Sequence, residues 1–384
     1  MNEPGITPAT ASPPDMKQLL TVIRSMVGEV HPHWKNLHFT PDTHLERELG
    51  LDSMARVELH RRIESSLGVT LDKGMAVCAT TPEFLMQLIR HGADSTTLAN
   101  RESSGAAANS DASELLMGAF GQTEQPAEVT QRHSPGEWAY ALYCWAVFAI
   151  VGLCTWLAVV PAPFASWRRK LAHSGAKLFF LLTFTPLRVT GTEYLDPEQP
   201  HIIIANHASY LDGFIITAAL DLSIHFIVKG ELARILPARL LLQRFGVEFV
   251  DRLNSNKAVS DVKRIAEKSR AGQTIVFFPE GTFTTFPGLQ PFRMGAFVTA
   301  VRTSVPVTPV AIRGARDIIR GHNWFPRRGR IDVTICPPVM PCGKGWQAAL
   351  DLRDAARVEI AKYCGEPDLV EGNDSEPEAA DRMR

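Results

Sequence analysis

The sequence predicts a multidomain chain with an all-α unit, a membrane-embedded or membrane-associated helical segment, and an α/β unit. Three observations predict it. Apolar residues recur at helical spacing from Met16 onward, and residues 138–167 carry no charge at all. After about residue 190, β-rich runs alternate with helical segments, which argues for a largely parallel or mixed sheet.

At 384 residues the chain is long for one core and suggests two or three units. A formal net charge of −1 gives no global pull toward nucleic acid or an anionic bilayer, so no nucleic-acid partner is expected. The six cysteines (Cys78, Cys144, Cys154, Cys336, Cys342, Cys364) show no C-x-x-C and no paired zinc spacing, and no metal is expected. They read as free thiols in a reducing compartment, with a Cys336/Cys342 disulfide as the alternative. Residues 1–14 are proline-rich, without a basic or apolar region, and read as a disordered leader rather than a signal peptide.

The first folded unit is expected over residues 15–92. Leu19, Leu20, Ile23, Met26, Val27 and Val30 give an amphipathic first helix. A polar loop leads to Gly50-Leu51-Asp52-Ser53-Met54 and a second helix with Val57, Leu59, Ile63 and Leu67 as its apolar positions. A shorter helix starts at Thr81-Pro82-Glu83, with Thr81 as cap and Pro82 where a missing N–H does no harm. Residues 93–136 are rich in Ser, Ala, Asn and Gly and read as a flexible linker.

Residues 137–189 form the membrane segment. Nine Val, Ile, Leu or Phe residues between positions 138 and 160 contribute about −4 kcal/mol on an insertion scale. Trp138, Tyr140, Tyr143 and Trp145 mark one end and Trp156 and Trp167 the other, as in interfacial belts, and Arg168-Arg169-Lys170 closes the run. Residues 178–187 (LFFLLTFTPL) are too short to cross and read as interfacial or re-entrant. The α/β unit is expected over 190–368. Its strands are 201–205, 224–228, 247–250, 274–278, 307–312 and 331–335, its helices include 256–271 and 346–363, and the tail 369–384 reads as disordered.

Two motifs carry chemistry. A serine at a helix N-terminus is, alone, a capping residue. The segment Leu49-Gly50-Leu51-Asp52-Ser53-Met54, with the helix order of residues 15–92, resembles the acyl carrier protein family, whose attachment motif is Asp-Ser-Leu. Met54 takes the leucine position. The resemblance implies a four-helix carrier fold with 4′-phosphopantetheine covalently attached to Ser53. It also implies a phosphopantetheinyl transferase and an acyl-loading enzyme as partners. A phosphodiester there would meet free backbone N–H groups and the positive dipole end. Glu46, Glu48, Asp52, Glu58 and Glu64 give the site an acidic rim.

The second motif is Asn206-His207-Ala208-Ser209-Tyr210-Leu211-Asp212, after the run 201–205. Residues 246–252 (GVEFVDR), 278–282 (FPEGT) and 305–310 (VPVTPV) follow in order. Together these look like the four blocks of the glycerolipid (lysophosphatidic-acid-type) acyltransferase family. The resemblance covers roughly 190–315. It implies a membrane-bound O-acyltransferase of phospholipid biosynthesis or remodelling, moving a fatty acyl group from an acyl-carrier thioester to a membrane lipid acceptor. An alcohol is a poor nucleophile near neutral pH, so transfer needs a base, for which His207 is the candidate. Asp212 would hold its tautomer. On one continuous helix positions i and i+5 lie about 140° apart, so the pair requires a strand–turn–helix geometry. In the family Ser209 is not a nucleophile. Asn206, Gly246, Glu280, Gly281 and Thr282 fall on the substrate side of the blocks, and Lys229 and Arg252 are candidates for an anionic headgroup.

One departure matters. The third block commonly continues to an arginine associated with the acceptor's phosphate, and here that position is Phe283. Either Arg293 takes over or the acceptor is not a simple phosphomonoester. Two alternatives stay open: acylation of a non-glycerol hydroxyl (an aminolipid or secondary metabolite), and a non-catalytic membrane acyl-carrier platform. A linker of about 44 residues spans roughly 35–40 Å and would keep the carrier at a local concentration of order millimolar. Phosphopantetheine comes from coenzyme A, so the carrier must face the cytoplasm during loading. The expected topology is therefore an even number of crossings or a monotopic hairpin bent near Pro161 and Pro163, with both domains cytoplasmic.

Overall fold

The computed structural model describes residues 15–32, 34, 39–69, 71, 79–91, 133–229, 236–250, 255–282, 287–319 and 324–369. The expected leader, the linker up to residue 132 and the tail from residue 370 lie outside them. The chain divides into two units, Met1–Thr130 and Gln131–Arg384.

In the first unit α1 (Met16–Val30) packs its buried stripe of Leu19, Ile23, Met26, Val27 and Val30 against α2 (Ser53–Leu67) and α3 (Pro82–His91). The facing side of α2 is Met54, Ala55, Leu59 and Ile63. Val57 and Leu67 are only half-buried. Leu45, Leu49 and Leu51 are buried in the loop before α2, and Leu51 N–H donates to Leu45 O at 2.9 Å. That loop sets where α2 starts. Three helices are described, and residues 72–78, where a further helix of the four-helix expectation would fall, lie outside the described residues.

The second unit opens with α4 (Pro135–Val159). Ser134 and Glu137 cap it reciprocally, at 2.7 and 3.3 Å, with Pro135 at the first helical position. Among the described residues α4 is the one helix long and apolar enough to cross a membrane. A turn holding Pro161 and Pro163 leads to α5 (Ala165–Leu182). The two helices run antiparallel. Tyr140 Oη donates to Thr183 O at 2.8 Å, Phe148 meets Phe179 at 5.9 Å between ring centroids, and Gly175 faces Thr155. Leu142, Ile150, Leu153 and Leu157 of α4, Phe164 just before α5, and Trp167, Leu178 and Leu181 of α5 are exposed.

The stretch 178–187, expected as interfacial or re-entrant, keeps Leu178, Leu181 and Leu182 exposed. It supplies the last turn of α5 and the start of a strand, because Ala176 and Phe180 are drawn into the core of the sheet.

The sheet has seven strands among the described residues: β1 (Leu187–Thr190), β2 (Ile202–Ala205), β3 (Ile224–Lys229), β4 (Glu248–Val250), β5 (Thr274–Phe277), β6 (Val307–Arg313) and β7 (Ile331–Ile335). Their order is β1-β7-β6-β2-β5-β3-β4, parallel except between β6 and β7. Six runs were legible in the sequence. β1, a four-residue edge strand with alternating exposure, was not. The helices are α6 (Asp212–Ala219), α7 (Leu236–Arg244), α8 (Ser255–Arg270), α9 (Gly295–Thr303), α10 (Ala315–Ile318) and α11 (Gly345–Cys364). β2 lies at the centre and is wholly buried, as a strand covered on both faces must be. Cys336 and Cys342 are free thiols, so the alternative disulfide is not formed.

A Cβ on Gly175 would collide with the Thr155 hydroxyl. Gly175→Val is therefore expected to cost about 1–3 kcal/mol in equilibrium denaturation, and Thr155→Ala in the same chain should recover part of it. An unchanged midpoint for the single variant would mean that the hairpin is not closely packed there.

Candidate active site

β2 ends at Ala205, the chain turns through residues 206–211, and α6 begins at Asp212. This is the strand–turn–helix that the His207/Asp212 spacing requires. Three donors converge on one buried oxygen. Asp212 Oδ2 accepts from Ala208 N–H at 2.7 Å, from Ser209 N–H at 2.9 Å and from His207 Nδ1 at 2.7 Å. The Asp212 side chain is 0% exposed, and the His207 ring keeps 22% of its surface open. An acceptor-only oxygen at Nδ1 places the proton of the neutral ring there, leaving Nε2 with its lone pair. Phe278 stacks on the ring at 4.7 Å.

Glu280 buttresses the turn from the neighbouring strand. Its two oxygens accept from His207 N–H at 2.5 Å and Gln290 N–H at 2.8 Å. Burial pushes its carboxyl up to about 7, helped by the Asp212 carboxylate and opposed by the two amide bonds and the Arg357 guanidinium. Arg357, on α11, was missed by the sequence reading. Nothing local distinguishes it from other helical arginines, since its partners come from distant segments.

The other expected site residues are placed unequally. Asn206 is brought beside the pair, yet its amide bonds Ile312 at both ends, at 2.9 Å to the carbonyl and 2.7 Å from the N–H, and it is 1% exposed. It straps β2 to β6. Ser209 is likewise buried, its hydroxyl donating to Ile319 O at 3.0 Å. Gly281 turns the chain after β5, its N–H donating to Phe278 O at 3.0 Å, and Thr282 beside it is exposed. Arg293 is exposed, with its backbone N–H on Pro279 O at 2.9 Å. Lys229 ends β3, and its side chain lies outside the described residues, as do Arg252 and Phe283. Gly246 adopts φ 72° in the turn before β4, against the His225 ring, whose Nδ1 lies 2.9 Å from Gly246 O. Glycine there answers a backbone need.

In the first unit Ser53 is the first residue of α2, half-exposed, and its hydroxyl makes no hydrogen bond among the described residues. Asp52 caps the helix through Ala55 N–H at 2.8 Å. A free hydroxyl at the N-terminus of a helix suits a phosphodiester. The acidic rim is less acidic than its composition. Glu46 pairs with Arg56, Glu58 with Arg61 and Arg62, and Glu64 accepts from Leu71 N–H.

Comparison with known proteins divides the chain in the same way. Residues 186–313 match the acyltransferase family model, and residues 19–89 match that of the phosphopantetheine attachment site. The chain is 32% identical over 204 residues to the chloroplastic 1-acyl-sn-glycerol-3-phosphate acyltransferase BAT2 of Brassica napus, covering 52% of this chain and 58% of that one. It is 31% identical over 155 residues to 1-acyl-sn-glycerol-3-phosphate acyltransferase alpha of Mus musculus, covering 40% and 54%. It thus spans a little over half the length of these relatives. Its fold is similar to that of the 1-acyl-sn-glycerophosphate (LPA) acyltransferase PlsC from Thermotoga maritima, with a TM-score of 0.51 at 24% identity over 63% of this chain and 98% of that one. Regions matching an acyltransferase family model and a phosphopantetheine-attachment family model therefore share one chain.

The raised Glu280 carboxyl has a thermodynamic consequence. Between pH 4.5 and about 7 the folded chain holds a proton that the unfolded chain has released. Its contribution to stability is full below 4.5, falls as pH rises through that window, and is gone above about 7. Denaturation midpoints measured across the window should fall for the wild type and lose that component of slope in Glu280→Gln. Equal slopes would contradict a carboxyl raised by burial.

Proposed function

We propose that this chain is a membrane-associated O-acyltransferase that moves a fatty acyl group from an acyl-carrier thioester to the hydroxyl of a lysolipid-type acceptor. The observation that carries the reading is His207 Nδ1 held at 2.7 Å on buried Asp212. With Nδ1–H committed, Nε2 takes the proton of the acceptor hydroxyl as its oxygen bonds to the acyl carbon. The carbon–sulfur bond breaks, and the imidazolium returns the proton to the departing sulfur. Asp212 stabilises the imidazolium between these steps. Ser209 has no part as nucleophile, since its hydroxyl is buried and bonded to Ile319 O.

Ser53 is the attachment point for 4′-phosphopantetheine, installed by a phosphopantetheinyl transferase and charged by an acyl-loading enzyme. When attached, the group supplies the thiol that carries the acyl chain. Fusing carrier and transferase in one chain keeps donor and acceptor site together. The names of the relatives support a 1-acyl-glycerol-phosphate acceptor. Lys229, Arg252 and Arg293 are the cations assigned to its headgroup. Phe283, in place of the usual arginine, favours a second reading in which the acceptor is a hydroxyl without a phosphomonoester. The non-catalytic platform is disfavoured, because a lipid-binding role alone has no need of a base aligned on a buried carboxylate.

The exposed apolar residues of α4 and α5 support docking of the hairpin into one leaflet rather than a single crossing. Both units then lie on the cytoplasmic side.

The full-length protein in phospholipid vesicles, supplied with its loading enzyme and either lysophosphatidic acid or a non-glycerol hydroxy-lipid, tests the reading. His207→Ala should lower kcat about 10²–10⁴-fold, and Ser53→Ala should abolish transfer from the loaded carrier. Wild-type turnover by His207→Ala would sink the mechanism, and by Ser53→Ala the carrier route. In sealed vesicles both units should be digested by external protease. Protection of one alone would require a complete crossing.

A further inference from the structure

We infer that Arg357 is a positioning residue of the acyl-transfer site: with segment 365–369 it fixes the peptide that holds Glu280, and through Glu280 the His207 turn. The inference rests on the proposed function, and it concerns residues beyond the 186–313 family match.

The Arg357 side chain is 9% exposed. A buried guanidinium is tolerable only when paired and hydrogen-bonded, and this one is paired and makes four hydrogen bonds. Asp368 receives it bidentately, at 3.0 Å from Nε and 2.5 Å from Nη2. Nη2 also donates to Leu289 O at 2.7 Å and Nη1 to Gln290 O at 2.6 Å, while the cation lies 4.8 Å from the centre of the Phe292 ring. The bond to Leu289 O has a mechanical consequence. Leu289 C=O and Gln290 N–H belong to one planar trans peptide and point in opposite directions. Arg357 anchors the carbonyl side. The N–H side is thereby aimed at Glu280 Oε2, 2.8 Å away. Glu280 Oε1 in turn accepts the amide of His207 at 2.5 Å.

The chain after α11 completes the brace. Leu289 N–H donates to Pro367 O at 2.8 Å. Glu366 accepts from Gly288 N–H at 2.6 Å and from Arg316 Nε at 2.7 Å. Residues 288–290 are thus held from one side by α11 and its extension, and they hold Glu280 from the other. A lysine cannot span two successive carbonyls and a carboxylate from one planar fork.

A double-mutant cycle separates positioning from general support. Acyl transfer to lysophosphatidic acid vesicles is measured for full-length wild type, R357K, R357M, E280Q and E280Q/R357M, with H207A as control and thermal midpoints recorded. R357K and R357M should each lower kcat about 10–10²-fold with KM for the lysolipid unchanged, as expected for about 1 Å of misplacement. Adding R357M to E280Q should change kcat less than about threefold, because both act on one path. A loss that multiplies with that of E280Q, or wild-type kcat in a folded R357K, would overturn the inference. If R357M fails to fold, D368N is read in the same cycle with the same two outcomes. Full turnover by H207A would instead sink the proposed function.

Discussion

One oxygen organises the catalytic end of this molecule. Asp212 Oδ2, buried at the N-terminus of α6, receives two backbone amides and the Nδ1–H of His207. Those bonds tie the turn after β2 to the helix that follows it, so the fold and the base share an anchor. The buried amides of Ala208 and Ser209 would otherwise lack partners, at a cost of about 1–3 kcal/mol each. The same carboxylate leaves His207 one orientation and one tautomer.

The sheet supplies what the anchor needs. β2 runs at the centre, wholly buried, and Asn206 sutures its end to Ile312 of β6. From the β5 side, Glu280 fixes the His207 amide, and Arg357 of α11 holds the Leu289 carbonyl of the peptide whose Gln290 amide meets that same carboxylate. The His207 turn is thereby held from several directions, while the open part of the ring faces outward. The proposed deprotonation of an alcohol needs such rigidity, because misplacement by an ångström costs rate steeply.

Under the proposed function, the hairpin and the carrier answer a different problem, that of bringing two apolar substrates together. α4 and α5 pack through Gly175 and Thr155 on one side and present Leu, Phe and Trp side chains on the other. An exposed face of that kind is stable against lipid and costly against water. On the carrier, Arg61 and Arg62 neutralise Glu58, so its recognition leans less on net charge than its composition suggests.

Much of this was written in local sequence. Helical periodicity from Met16, the uncharged run 138–167 and six β-rich runs each reflect interactions within a few residues; the first became α1, the second most of α4 with the turn and start of α5, and the third six of the strands. The spacing of His207 and Asp212 demanded a strand–turn–helix, and Ser53 was placed at a helix start; both are chemical constraints that a short segment can encode. Tertiary structure alone decided the rest. Edge strand β1 exists because β7 is there to pair with it. Phe180 turns inward because the sheet's core receives it. Asn206 became a strap and Arg357 a brace because Ile312 and Leu289, distant in sequence, present carbonyls where those side chains end. A side chain's chemistry is local, but its partner is set by packing, and no pattern along one segment reports what folding will bring against it.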